Sequence, residues 1–341
     1  MVTVTESQDK LSAASKDALG EAEFKKRDVN WTLVLFYIHL YILGSYGTYV
    51  TFTSASWPTI LFTAMYTLMG ILGVTVGVHR LWAHRSFTAT APLRVFLMIC
   101  QTMAGQGSIY SRVQAHRLHH AKFHCDEDPY YSKQSFLYAQ LHGNLLGYSR
   151  QQELALKDVD MTDIENDEIV MFQKKYYALL FIMLSVLLPL NTPFQYFGET
   201  LAVSMFVGFW LRSLIVVNVG NLVNSAHFLW GIHKGFKPTD SNSIFFITKS
   251  FWPQFHYLLP HDYQSGEFGG YANGTGSMMI RVLAALDLAK DLRTISSVAV
   301  RQGLTEAVET GLPIVDCIEK QVKLEEQTRP DNHYLNREKF M

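Results

Sequence analysis

Three stretches of this chain, Trp31 to Phe52, Trp57 to Val78 and Tyr176 to Gly198, contain no Asp, Glu, Lys or Arg, and a fourth, Thr200 to Val223, contains only Arg212. Each is long enough for a helix to cross roughly 30 Å of hydrocarbon, which takes about 20 apolar residues. Trp31 and Trp57 stand at the starts of two runs, where amphipathic rings favour the lipid interface. The prediction is an all-α membrane protein with four transmembrane helices at about 31–52, 57–78, 176–198 and 200–223. Short links, Thr53 to Ser56 and the turn from Asn191 and Pro193 to Glu199, pair them into two hairpins, with a helical cap outside the membrane.

Two hairpins leave the rest of the chain on one face. Lys25, Lys26, Arg27, Arg80, Arg85, Arg112, Arg117, Lys174 and Lys175 all fall there, and an excess of basic residues beside helix ends marks the cytosolic side. Both termini and the cap, about 79–172 and 227–294, are therefore expected in the cytosol. Val95 to Tyr110 is apolar but too short to span and carries Gln101 and Gln106, so an interfacial or protein-covered helix is expected. Residues 1–29 read as a polar cytosolic segment, 30–294 as the membrane domain and 295–341 as a polar tail. The first segment lacks the pattern of a cleaved signal.

Charged residues are only 17% of the chain and sum to a net charge of -1. Nothing in that balance attracts a polyanion, and nucleic-acid binding is excluded as a main role. Cys100, Cys125 and Cys317 are widely spaced without a CxxC pair, so neither a disulfide framework nor a zinc ribbon can be written. Reduced thiols are expected.

The chemistry concentrates in the 13 histidines. His116, His119 and His120 stand at i, i+3 and i+4, which puts three imidazoles on one helical face. His79 and His84 span just over one turn at the end of the second run, His227 follows the fourth, and His256 and His261 lie further on. Neutral imidazole binds iron, copper and zinc well. Six to eight such rings exceed one tetrahedral ion, which argues for two metals, and zinc has no redox chemistry to need them. Two irons can activate O2, which partitions into lipid, so attack on an unactivated C–H bond of a lipid chain follows. Electrons come from elsewhere, because no flavin, haem or NAD motif is present. His39 reads as packed or paired within the bundle, and His124, His142, His233 and His333 lack ligand spacing. The carboxylates Asp126, Glu127, Asp128 and those from Asp158 to Asp167 read as solvated loop charge. No phosphate loop or GxSxG elbow is present.

The segment GVHRLWAHRSF, Gly77 to Phe87, and the segment HRLHHAKF, His116 to Phe123, closely resemble the first two histidine boxes of the membrane acyl-CoA desaturases of the stearoyl-CoA Δ9 type, especially insect members. The likeness runs from about Asn30 to about Thr294. It includes Asp128–Pro129, EIVMFQKKYY at Glu168 to Tyr177, GET at Gly198 to Thr200, and LVNSAH ending the fourth run. The resemblance implies an endoplasmic-reticulum protein with a cytosolic cap, two iron ions, a fatty acyl-CoA substrate, O2, and electrons from a separate cytochrome b5 and its reductase. It also implies His79, His84, His116, His119, His120, His227 and His256 as metal ligands at the catalytic centre.

Three places depart from the family pattern. Asn224, which would hold a water on one iron, is three residues before His227 where the family has four, a shift of about 100° on a helix, so the role calls for a backbone bulge. In the third box only the middle ligand, His256, survives: Pro253 and Tyr257 occupy the flanking ligand positions, and His261 is the nearest substitute in sequence. Beside the second box, the family's Arg–Asp pair near the CoA head group becomes Gln114 and Ala115, and the preceding Trp becomes Arg112. Intact first and second boxes favour an acyl-CoA desaturase forming a cis double bond; the altered third box favours a catalytically weak or silent relative that binds lipid or partner desaturases.

Overall fold

The computed structural model describes residues 27–123, 125–130, 135–230, 256, 260–265, 274–312 and 314–328. Asn30 starts helix α1 (Trp31–Thr53): its side-chain oxygen accepts the Leu33 amide at 3.2 Å, satisfying one of the free N–H groups at a helix start. Helix α2 (Trp57–Ala83) opens with Pro58, whose missing N–H is no loss at that position. Two helices of the cap follow, α3 (Ala91–Ala104) and α4 (Ile109–Ala121), then the short α5 (Phe136–Gln140), α6 (Arg150–Lys157) and α7 (Thr162–Glu165). Helices α8 (Glu168–Tyr196) and α9 (Leu201–Ala226) form the second hairpin. Beyond them lie α10 (Thr275–Ala285), α11 (Ser297–Thr310) and α12 (Ile314–Thr328). The described sheet is one antiparallel pair, β1 (Thr88–Ala89) against β2 (Ala289–Lys290).

Helices α1, α2, α8 and α9 are long and apolar enough to cross a membrane, and they are the four runs read from the sequence. The chain is an all-α membrane protein. Trp31, Leu35, Ile42, Phe52, Leu61 and Leu68 are exposed on the first hairpin, as side chains facing lipid would be. Small residues set the contacts between helices: a Cβ at Gly47 would stand 2.2 Å from the Phe206 carbonyl oxygen on α9, so only glycine permits that approach. The third crossing differs from its expected start. Helix α8 begins at Glu168, held by Asp167, and carries non-helical dihedrals at Tyr176, where the charge-free run begins. The kink separates a charged approach from the span itself.

Helix α3 takes up most of the short apolar segment Val95 to Tyr110. Leu97, Cys100 and Gln101 on it are fully buried, and a Cβ on Gly73 of α2 would meet the α3 backbone at 2.2 Å. It is covered by protein and ends at Gly105 with φ 71°, a left-handed stop that glycine adopts without strain. Arg212 explains how one charge is tolerated within α9. Its Nε donates to the Gly208 carbonyl at 3.1 Å, Nη1 to Met103 O at 2.6 Å and Nη2 to Ser185 O at 2.9 Å. These bonds tie α9 to α3 and α8 at one level, and the Tyr66 ring of α2 lies 5.4 Å away. On the turn between α8 and α9, Glu199 accepts the Ser56 amide at 2.7 Å and its hydroxyl at 2.6 Å. This contact joins the two hairpins at the end away from the histidines.

Candidate metal centre

The last turns of α2 are not α-helical. From Gly73 to Ala83 the chain is a π-helix, closed by the His84 amide donating to the His79 carbonyl at 3.0 Å. Five residues at about 100° each would leave two side chains about 140° apart on an α-helix. The wider i→i+5 turn brings His79 and His84 over each other, with ring centroids 4.6 Å apart. Arg85 follows at φ 51°, turning the chain away from the membrane.

Helix α4 supplies the second set. Ser108 caps it, and the Gln173 side chain of α8 accepts the Ile109 amide at 2.8 Å, docking the helix start on the third crossing. Its spacing places His116 and His120 toward α2. Arg117 points elsewhere and clasps both boxes: it donates to the Trp82 carbonyl at 2.8 Å and makes two 2.8 Å bonds to the Asp163 carboxylate, which Arg85 also reaches at 2.7 Å. His256 arrives from the far side, beside a segment that Arg80 anchors by donating to the Tyr263 and Ser265 carbonyls and the Ser277 hydroxyl.

Five imidazoles converge. One nitrogen from each of His79, His84, His116, His120 and His256 lies within 4.8 Å of all the others. His84 sits centrally, its ring 4.5 to 4.8 Å from those of His79, His116, His120 and His256. The Nε2 atoms of His84 and His116 are 2.8 Å apart, and those of His79 and His256 are 3.0 Å apart. The opposite nitrogens are engaged. His116 Nδ1 donates to Asn224 Oδ1 at 3.0 Å. His256 Nδ1 donates to Ser265 Oγ at 3.4 Å, since that hydroxyl spends its own proton on the Asp262 carbonyl. Both rings therefore present Nε2 lone pairs inward, the tautomer a metal ligand requires.

Electrostatics favour the same state. Burial, then the neighbouring imidazoles, hold His84, His116 and His120 well below the ordinary histidine range, and burial followed by His79 and Arg80 does the same for His256. Buried, unprotonated rings with lone pairs aimed at one point fit a borderline cation such as iron.

His119 lies beside the group, with its Nδ1 donating to Asp128 Oδ2 at 2.7 Å. Asn224 reaches the site although the chain is α-helical from Arg212 to Trp230, past the end of the α9 span at Ala226; the π-turn lies upstream at Ser204–Leu211. The helix carries His227, whose side chain lies outside the described residues, as do Pro253 and Tyr257. His261 is exposed, and its Nδ1 donates to the His84 carbonyl at 2.5 Å, so it meets the site's backbone and stands outside the converging five. His39 is exposed rather than packed, and it pairs with the Leu35 carbonyl of its own helix at 2.7 Å.

The acidic loops also correct the sequence reading. Asp128 is buried against His119, Asp163 joins the two boxes through Arg117 and Arg85, and Asp167 caps α8 while accepting from Trp82 and Arg94. Burial would raise the Asp163 carboxyl, but hydrogen bonds from Arg117 and Arg85 outweigh it and hold the group well below the usual range. Only the Asp128–Pro129 match signals any of these roles in the sequence.

An all-α membrane protein with a buried imidazole cluster at its helix ends is a narrow class. Residues 55–265 match the fatty acid desaturase family. The chain is similar to the acyl-CoA Delta-9 desaturase of Acheta domesticus, 34% identical over 300 residues covering 84% of each chain. It is also similar to the acyl-CoA Delta-12 desaturase of Tribolium castaneum, at 33% over 78% of this chain and 76% of the relative. The stearoyl-CoA desaturase of Homo sapiens is 31% identical over 86% of this chain and 84% of its own length. The chain belongs to the fatty acid desaturase family and has the general character of an acyl-CoA desaturase.

Proposed function

We propose that this protein removes two hydrogens from adjacent methylenes of a fatty acyl-CoA to leave a cis double bond, using O2, two external electrons and two protons and releasing two waters. The observation that carries this reading is the buried convergence of His79, His84, His116, His120 and His256. Iron held there supplies the O2 activation that an unactivated C–H bond demands. The family resemblance adds His119 and His227 as ligands and gives two irons.

The chain's own residues have separable tasks. Asn224 and Ser265 orient the rings of His116 and His256 so that Nε2 faces inward. Arg117 and Asp163 hold the two boxes in register. Burial excludes bulk water, which protects a reactive centre from side reactions. Cytochrome b5 and its reductase are the electron source in this account, and the protein sits in the endoplasmic-reticulum membrane with both termini and the histidine boxes cytosolic. Residues 30–294 form the desaturase domain. The boxes resemble the stearoyl-CoA Δ9 type, similar relatives are named for Δ9, Δ11 and Δ12, and the bond position is the property that product analysis assigns.

Expression in yeast lacking its own desaturase, followed by mass-spectrometric location of double bonds, tests the proposal. New monounsaturated chains are expected, and they assign the bond position. No product across several chain lengths, from protein that is present and carries iron, would favour the silent relative instead.

A further inference from the structure

Asp128 is buried beside the metal centre. Neither its side chain nor that of His119 is exposed to solvent (0% each), and Oδ2 accepts His119 Nδ1 at 2.7 Å. Its other oxygen accepts the Tyr130 amide at 2.9 Å. Among the described residues, no Lys or Arg pairs with it. A buried carboxyl group needs partners for its oxygens, and His119 is the side chain that supplies one.

The surroundings hold the pair in place. The His119 ring is held edge-on between Phe123 and Tyr130, with centroids 5.6 and 5.5 Å away and interplanar angles of 86° and 85°. It can neither flip nor swing without displacing both. The loop carrying Asp128 is itself fastened, because the Gln152 side chain donates to the Asp128 carbonyl at 3.4 Å while accepting the Ser149 amide at 3.1 Å as part of the α6 capping box. With Nδ1 committed as a donor, Nε2 is the ring nitrogen on the side away from Asp128. His119 lies on the same helix as His116 and His120, 5.8 and 5.6 Å from their rings, yet outside the group of five.

We propose that Asp128 is a positioning residue for the metal centre: by accepting the Nδ1 proton it fixes the orientation of His119 so that Nε2 is the nitrogen offered to the ion. Asp128, His119 and the ion would then form a carboxylate–histidine–metal series. This rests on the metal reading above and adds a functional residue that spacing could not reveal, because Asp128 carries no ligand pattern of its own.

The test is cobalt titration of the full-length protein, purified in detergent and stripped of metal. Asp128→Asn keeps the shape and removes the charge, and should raise the Co(II) dissociation constant about 10- to 100-fold with an altered visible cobalt spectrum. Asp128→Glu, which keeps the charge with a longer reach, should fall between wild type and Asn; it supplies the same affinity and spectral readout should the Asn variant fail to fold. In a His119→Ala background Asp128→Asn should add little, because the ring through which it acts is gone. Unchanged affinity and spectrum in the Asn and Glu variants would overturn the proposal. So would an undiminished Asn effect in the His119→Ala background, which would make the pair a structural contact. A wild-type chain that takes up neither cobalt nor iron would overturn the metal reading together with this one, and is distinguishable because it appears before any substitution is made.

Discussion

His256 and His261 illustrate what residue spacing can and cannot tell. They lie five apart around Pro260, and either could serve an altered third box. The structure buries His256 with its Nε2 3.0 Å from that of His79, while His261 is exposed and spends Nδ1 on the His84 carbonyl. His256→Ala should therefore abolish product and reduce bound iron. His261→Ala should leave iron in place and lower activity less, by loosening the His84 backbone. Fatty-acid analysis beside metal content on both variants checks this ordering. His116 and His120 were legible because their spacing acts locally, and His79, His84 and His256 through the box pattern they share with the family. Asp163 was not, and Asp128 only through the Asp128–Pro129 match, since a carboxylate in a loop looks solvated until distant helices close over it.

At the scale of helices, charge-free length marked all four spans, but periodicity gave no sign of the π-turns, which depend on how each helix packs. The π segment Gly73–Ala83 matters most, for it aligns His79 with His84. Arg212 is the corresponding device within the membrane: its guanidinium satisfies carbonyls of α3, α8 and α9 together. Arg212→Ala should cost about 1–3 kcal/mol, because the carbonyls it leaves lose their donor where water is scarce. Thermal unfolding in detergent measures it. A loss within experimental error would show that the three helices hold without this tie.

The whole molecule couples folding to protonation through the same groups that make the site. Metal-free protein keeps His84, His116, His120 and His256 unprotonated to well below the ordinary value of 6.5, whereas the unfolded chain protonates them near it. The unfolded state binds more protons in that interval, so stability is full above about pH 6.5 and falls as pH drops below it. Asp163, depressed from 3.8, adds a second loss as pH falls below that value, when the ties to Arg117 and Arg85 are protonated away. Denaturation curves of the metal-free protein across pH should show both stages, and bound metal should shift the first to lower pH, since it competes with protons for the same nitrogens. The central claim, that converging histidines hold iron, is tested most directly by iron K-edge X-ray absorption on the purified protein. The account predicts a nitrogen shell with the outer-shell scattering of several imidazoles, weakened in His256→Ala. A shell of oxygen alone, or one unchanged by that substitution, would contradict it.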